Sequence, residues 1–180
     1  MIKHCKQFWA ASFAELKNVR SLPLASLLTA IYAVTYSPFA GNIIIIPKLI
    51  VIRLGFVAVA VAGMLCGPVF AMLVAVLGDF IGTILFYGGS FFFGYTVSWV
   101  LMGLLFGCFL YKNKATLARI IPCMIIYQLA LNLLLTPLWK FYMGMGPSYR
   151  ILLLESIPRN LLLLPANTIL LLVVTRTVMG

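Results

Sequence analysis

Three acids stand in this chain of 180 residues, and one of them, Asp79, lies where water does not reach. It sits deep inside GPVFAMLVAVLGDFIGTILFY, Gly67 to Tyr87, a run of twenty-one residues with no other charge. Such a run crosses a bilayer, because ~20 residues at about 1.5 Å each span the hydrocarbon. A carboxylate there costs at least ~2.5 kcal/mol on insertion scales, so it persists where it faces a ligand, a polar cavity or a neighbouring helix. Its chemistry is that of an acceptor with two oxygens. Asn132 stands in mid-membrane and reaches either a ligand or a neighbouring backbone. Arg159 and Asn160 follow Pro158 inside the last apolar run, and Lys48 and Arg53 flank the start of an earlier one.

These residues bind; they are not arranged to catalyse. Asp79 and Glu155 fall on different apolar runs, and neither HExxH, GxSxG nor GxxxxGK[ST] occurs. His4 is the one histidine, and Cys5, Cys66, Cys108 and Cys123 show no CxxC pairing. The cysteines read as reduced apolar fillers, with no metal site and no cofactor expected. Hydrophobic residues make up 64% of the chain and charged residues 9%, against about 25% charged in soluble domains. The composition describes an all-α integral membrane protein in one bundle, with no room for a nucleotide-binding domain and no nucleic-acid partner.

The elements that position these groups follow from the apolar runs. Trp9, Phe13 and Leu16 recur at helical spacing within residues 6 to 20, with Lys6, Lys17 and Arg20 elsewhere on the wheel, as in a helix lying on a membrane surface. Six spans are then expected: Leu22 to Ser37, Leu49 to Cys66, Gly67 to Tyr87, Phe91 to Tyr111, Ile120 to Trp139 and Ile151 to Val174. The tight Gly67-Pro68 connection makes the second and third antiparallel neighbours. Ile43 to Ile46, between Asn42 and Pro47, is too short to span and rich in β-branched residues, so it is expected to be extended, as a lid or cap. The chain thus divides into an interfacial segment, 1–21, and a six-helix transmembrane domain, 22–180.

Six spans put both termini on one side. With that side cytoplasmic, Lys3, Lys6, Lys17, Arg20, Lys112, Lys114, Arg119 and Arg176 lie inside, as the positive-inside rule prefers. Lys48, Arg53, Lys140, Arg150 and Arg159 remain on the outer half, a basic funnel suited to an anionic solute arriving from outside.

Four stretches carry a resemblance to a known family: FAELKNVRSLPLASLLTAIYAV at 13–34, LGFVAVAVAGMLCGPVFAMLVAVLGDFIGTILF at 54–86, FFFGYTVSWVLMGLLFGCFLYK at 91–112 and IPRNLLLLPANTILL at 157–171. In their order and spacing they resemble the substrate-binding S components of energy-coupling-factor (ECF) vitamin transporters, and within these the folate-specific branch. The resemblance implies a plasma-membrane subunit, not an enzyme, that binds its vitamin near the outer face. It implies docking on a shared transmembrane coupling subunit joined to two cytosolic ATPases, with transport by toppling of the whole S component. The neighbouring readings are an S component for another vitamin, such as pantothenate or riboflavin, and a small membrane scaffold or intramembrane enzyme.

The resemblance also assigns roles. The family's small-xxx-small docking motif falls on Ser26 and Ala30, with Ser26 where Ala is usual; Ala25, Thr29 and Ala33 form a competing register, and either face can pack inside the monomer. Asp79 would accept from the 2-amino and N3–H donors of a pterin, or else bond a neighbouring helix. Phe92, Tyr95 and Trp99, with Phe91, Phe93, Tyr36 and Trp139, would supply aromatic walls or an interfacial belt. Of the three consecutive phenylalanines at least one should face inward. Arg159 would hold a carboxylate of the glutamyl tail or the pterin carbonyl, or snorkel to headgroups. Asn160 offers donor and acceptor, and Arg53 and Lys48 are further candidates for the tail.

Overall fold

The computed structural model describes residues 9, 12–15, 21–37, 42–46, 50–86, 88, 91–112 and 116–179, with backbone alone at 42–46, 50–53 and 179. Helix α1 (Ser21–Val34) is followed by an antiparallel hairpin of β1 (Asn42–Ile46) and β2 (Ile50–Arg53). Then come α2 (Gly55–Cys66), α3 (Pro68–Phe86), α4 (Phe93–Leu110), α5 (Leu117–Tyr142) and α6 (Tyr149–Met179). Helices α3 to α6 are long and apolar enough to cross a membrane, whereas α1 and α2 are shorter apolar helices.

The hairpin bears out the extended reading of Ile43 to Ile46 and corrects the expected second span. Residues 50–53 are strand, not helix, and α2 begins at Gly55. The register pairs Asn42 with Arg53, Ile43 with Ile52, Ile44 with Val51 and Ile46 with Ile50, with an irregularity between Ile44 and Ile46. Branched side chains on both arms favour this pairing over a helix, which would crowd each Cβ branch against the preceding turn. Strict all-α architecture therefore gives way to a helical bundle with one small hairpin, whose second strand rests on α6.

Of the expected N-terminal helix, Trp9 and residues 12–15 are described and are helical. Phe13 is exposed, but Ser12 is fully buried, and its Oγ accepts a hydrogen bond from the Val69 backbone N–H at 3.2 Å. That donor lies in the first turn of α3, where no intrahelical acceptor exists. Glu15 in turn accepts from Ser21 Oγ at 3.1 Å at the start of α1. The segment is thus tied to the ends of α1 and α3.

Close approach of α3 and α4 depends on residues without side chains. A Cβ at Gly103 would lie 2.8 Å from the Ala71 backbone, and one at Gly107 would overlap Pro68. Gly63 of α2 meets the Gly107 backbone from the other side. Small residues four apart are the usual device for such contact in lipid. Around this seam lies the core, with Tyr32, Phe56, Val59, Met102, Phe106, Ile120, Met124 and Leu171 buried.

Helix α5 changes its winding. It is α-helical over Leu117–Ile126, π-helical over Tyr127–Leu135 and α-helical again over Thr136–Tyr142. Pro137, two residues past the end of the π stretch, has no N–H, so an α-helical bond to the Leu133 carbonyl cannot form there. The Thr136 N–H reaches Leu131 instead, one residue further back than in an α-helix. The outward faces remain apolar: Leu27, Leu77, Phe80, Leu85, Leu134, Leu154, Leu161 and Ile169 are exposed. Apolar side chains outward and polar ones inward is the arrangement lipid requires.

Gly107→Val should lower the thermal midpoint in detergent by the equivalent of about 1–3 kcal/mol through overpacking. An unchanged midpoint would mean that α3 and α4 do not meet at this seam.

Candidate binding site

The site grows from two tyrosines meeting two glycines. Tyr32 and Tyr36 are four residues apart, on and just beyond the last turn of α1. Gly78 and Gly82 are four apart on α3. A Cβ at Gly78 would overlap the Tyr32 ring, and one at Gly82 would lie 2.6 Å from the Tyr36 ring. With no side chains in the way, α1 closes on α3 and its rings flank the intervening Asp79.

Asp79 is 4% exposed. Its Oδ1 accepts a hydrogen bond from the Tyr36 hydroxyl, and its Oδ2 accepts one from Thr96 Oγ1 of α4 at 2.8 Å. The carboxyl therefore joins three helices, as the neighbouring-helix alternative held. Two oxygens offer about four acceptor positions, of which these bonds use two. Tyr32 stands edge-on to Tyr36 at 5.7 Å and to Trp99 of α4 at 6.2 Å, so aromatic rings line one side of the carboxyl.

A second aromatic group lies at the start of α4. Phe92, Tyr95 and Trp99 recur at intervals of three and four, hence on one face. Phe92 contacts Tyr95 at 5.8 Å and Trp139 of α5 at 6.0 Å, and the Trp139 indole N–H donates to Ser98 Oγ at 2.8 Å. Phe91 turns away to pack on Phe80, and both are exposed, as is Phe93. Of the three consecutive phenylalanines, Phe92 is the one turned inward.

Between α5 and α6 runs a row of amides. Asn132 Nδ2 donates to Gln128 Oε1 at 3.2 Å, Gln128 Nε2 donates to the Asn160 carbonyl at 3.4 Å, and Asn160 Nδ2 donates to the Ser156 carbonyl at 2.9 Å. Gln128 and Asn160 are fully buried and Asn132 is half-buried. Arg159, half-buried, stands beside Asn160, while Glu155 is exposed one turn earlier. Arg53 ends β2, the strand that rests on α6, but its side chain is outside the description, and Lys48 lies outside the described residues.

The two small-residue registers of α1 separate. Ala25 is half-buried and Thr29 and Ala33 are buried, whereas Ser26 and Ala30 are exposed on the outer side of the bundle. Cys66 and Cys123 are buried and Cys108 is exposed on α4, and none of these three is in a disulfide. Among the described residues no group of three histidines, cysteines or carboxylates could hold a metal ion.

Several residues of the site escaped the sequence reading. Tyr32, Thr96, Ser98 and Gln128 are ordinary members of apolar runs until the helices pack. A signal existed for two of them: the glycines bracketing Asp79 share the spacing of Tyr32 and Tyr36, and Gln128 precedes Asn132 by one helical turn.

Fold and site together define a helical membrane protein that encloses polar and aromatic groups within an apolar bundle. Residues 20–175 match the ECF transporter substrate-specific component family, and the chain belongs to that family. It is a non-enzymatic, substrate-binding transporter subunit. It is similar to the folate transporter FolT of Clostridium novyi (strain NT), at 27% identity over 118 residues, 66% of this chain and 68% of that protein. It is also similar to a crystal structure of FolT bound with folic acid, with TM-score 0.75, 24% identity, and 88% of this chain and 92% of that chain covered.

Tyr36→Phe and Thr96→Val each remove one donor from Asp79, and each should cost about 1–3 kcal/mol of stability. Thermal unfolding of the purified variants checks this, and a pair of silent substitutions would show that the carboxyl does not join α1, α3 and α4.

Proposed function

We propose that the chain is the folate-specific S component of an ECF importer, with both termini cytoplasmic and the site toward the outside of the plasma membrane. The observation that carries this reading is the buried Asp79 carboxyl beside Tyr32, Tyr36 and Trp99, in a chain whose relative is named a folate transporter. Its likeness to a folic-acid-bound fold supports the same ligand.

In this reading Asp79 accepts from the 2-amino and N3–H groups of the pterin, using its free acceptor positions or those that Tyr36 and Thr96 give up. Trp99, Tyr95 and Phe92 supply flat apolar surface against the heterocycle. The amides of Asn132, held by Gln128, and of Asn160, held by the Ser156 carbonyl, offer donors and acceptors further along the ligand. Arg159 and Arg53, brought to neighbouring elements by the packing of β2 on α6, hold the carboxylates of the glutamyl tail. Binding energy alone is needed, since the pumping work belongs to two ATPases acting through a coupling subunit.

Residues 1–21 form the interfacial segment and residues 22–180 the six-helix domain, with α1 and α2 as its first two crossings. The coupling subunit docks on the face of α1 that carries Ser26 and Ala30, where small exposed residues permit close helix contact. Toppling of the whole subunit on that contact turns the site inward.

A chromophore with pterin absorption should copurify with the protein, and titration with folic acid should saturate at nanomolar concentrations. A flat titration with folic acid and its reduced forms would defeat the folate reading in favour of another vitamin, pantothenate or riboflavin. Asp79→Asn, whose amide can still bond both hydroxyls because a hydroxyl also accepts, should weaken folate at least tenfold while shifting the unfolding midpoint less. Ala30→Leu should abolish uptake in cells and leave binding by the purified subunit intact; loss of binding instead would mean that this face packs internally.

A further inference from the structure

One polar group beside Asp79 is unused. Tyr32 is 2% exposed, and its hydroxyl has no hydrogen-bond partner among the described residues. Its ring cannot slide away to find one, because it is wedged between α2 and α3: a Cβ at Gly55 would lie 2.7 Å from it, and one at Gly78 would overlap it. Trp99 and Tyr36 close two further sides, edge-on. Tyr36, Asp79 and Tyr127 are the polar groups around it, and none of them meets the hydroxyl at hydrogen-bonding geometry.

A buried hydroxyl without a partner forfeits its hydration with nothing in return, a cost that phenylalanine would avoid with the same ring packing. The chain nevertheless carries tyrosine here, next to the acid that the proposed function assigns to the pterin. A 2-amino-4-oxo pterin presents along one edge two donors, the 2-amino and N3–H groups, and then one acceptor, the 4-oxygen. A carboxylate has only acceptors and can take the two donors. The third position needs a donor, and a fixed, unpartnered O–H supplies it.

Resting on the folate reading, we infer that Tyr32 is a specificity-determining residue whose hydroxyl donates to the 4-oxygen of the pterin and completes the donor–donor–acceptor edge begun by Asp79. Arg159 is then left to the carboxylates of the tail. The hydroxyl gains its partner with the ligand, so its contribution falls on binding. A ligand lacking the 4-oxygen would leave it unpaired, and a site built around a polar partner discriminates against analogues without it.

The test compares wild type with Tyr32→Phe on three readouts: the thermal midpoint of the empty protein, the affinity for folic acid, and the affinity for folic acid lacking its 4-oxygen. Expected are an unchanged or raised midpoint, about tenfold weaker binding of folic acid, and equal binding of the deoxygenated analogue by both proteins. Equal weakening of both ligands would assign Tyr32 a structural role only, and an unchanged folic acid affinity would remove the contact; either result overturns the proposal. Failure of the wild type to bind folic acid would overturn the folate reading and this contact with it, whereas intact wild-type binding with an indifferent Tyr32→Phe defeats the contact alone.

Discussion

An acid placed where neither lipid nor water can solvate it has to find its donors within the protein, and Asp79 finds them on two other helices. The Tyr36 hydroxyl comes from the end of α1 and the Thr96 hydroxyl from the first turn of α4. Moving either helix away from α3 would leave a carboxyl oxygen unpaired at a few per cent exposure, far costlier than any single apolar contact. The carboxyl therefore fixes the relative level of α1, α3 and α4, and with it the place of Tyr32 and Trp99. Glycines at 78 and 82 are the steric condition for this, since any side chain there would hold the α1 rings off the carboxyl.

The other half of the site obeys the same rule with weaker groups. Asn132 donates to Gln128, Gln128 to the Asn160 backbone carbonyl and the Asn160 amide to the Ser156 carbonyl, which keeps amides inside an apolar bundle. The π-helical turns from Tyr127 to Leu135 rotate this part of α5 relative to a regular helix, and both Gln128 and Asn132 lie within them. Such irregular winding is frequent at functional sites because it re-aims side chains without breaking the helix. Acid, aromatic and amide groups thus sit on or next to helices packed against one another.

Much of the fold was legible from hydrophobicity, because lipid as solvent leaves few alternatives: each long apolar run had to become a helix. The tight turn at Gly67-Pro68 and the polar positions along the last run followed from residue type, and the expected start of the fourth span at Phe91 fell two residues before α4 begins. The second span was misjudged at its start, because Leu49 to Arg53 is as apolar as a helix but gains its pairing from Ile43 to Ile46. Strand pairing is a property of two segments, and hydropathy reads one. The N-terminal segment showed its amphipathic face, but nothing in its composition marked Ser12 as the acceptor for the Val69 N–H, 57 residues away.

The sequence by itself determined that this is a helical membrane protein, that Asp79 must have partners, and that at least one of the three consecutive phenylalanines faces inward, since these depend on composition and on the 3.6-residue period. Only the tertiary structure decided who those partners are. Tyr36 and Thr96 reach the carboxyl, Tyr32 lies beside it with no hydrogen-bond partner for its hydroxyl among the described residues, and Gln128 joins the amides, because glycine against ring and small residue against backbone set the distances between helices. Periodicity assigns a side chain to a face; packing at the level of single methyl groups assigns it a neighbour.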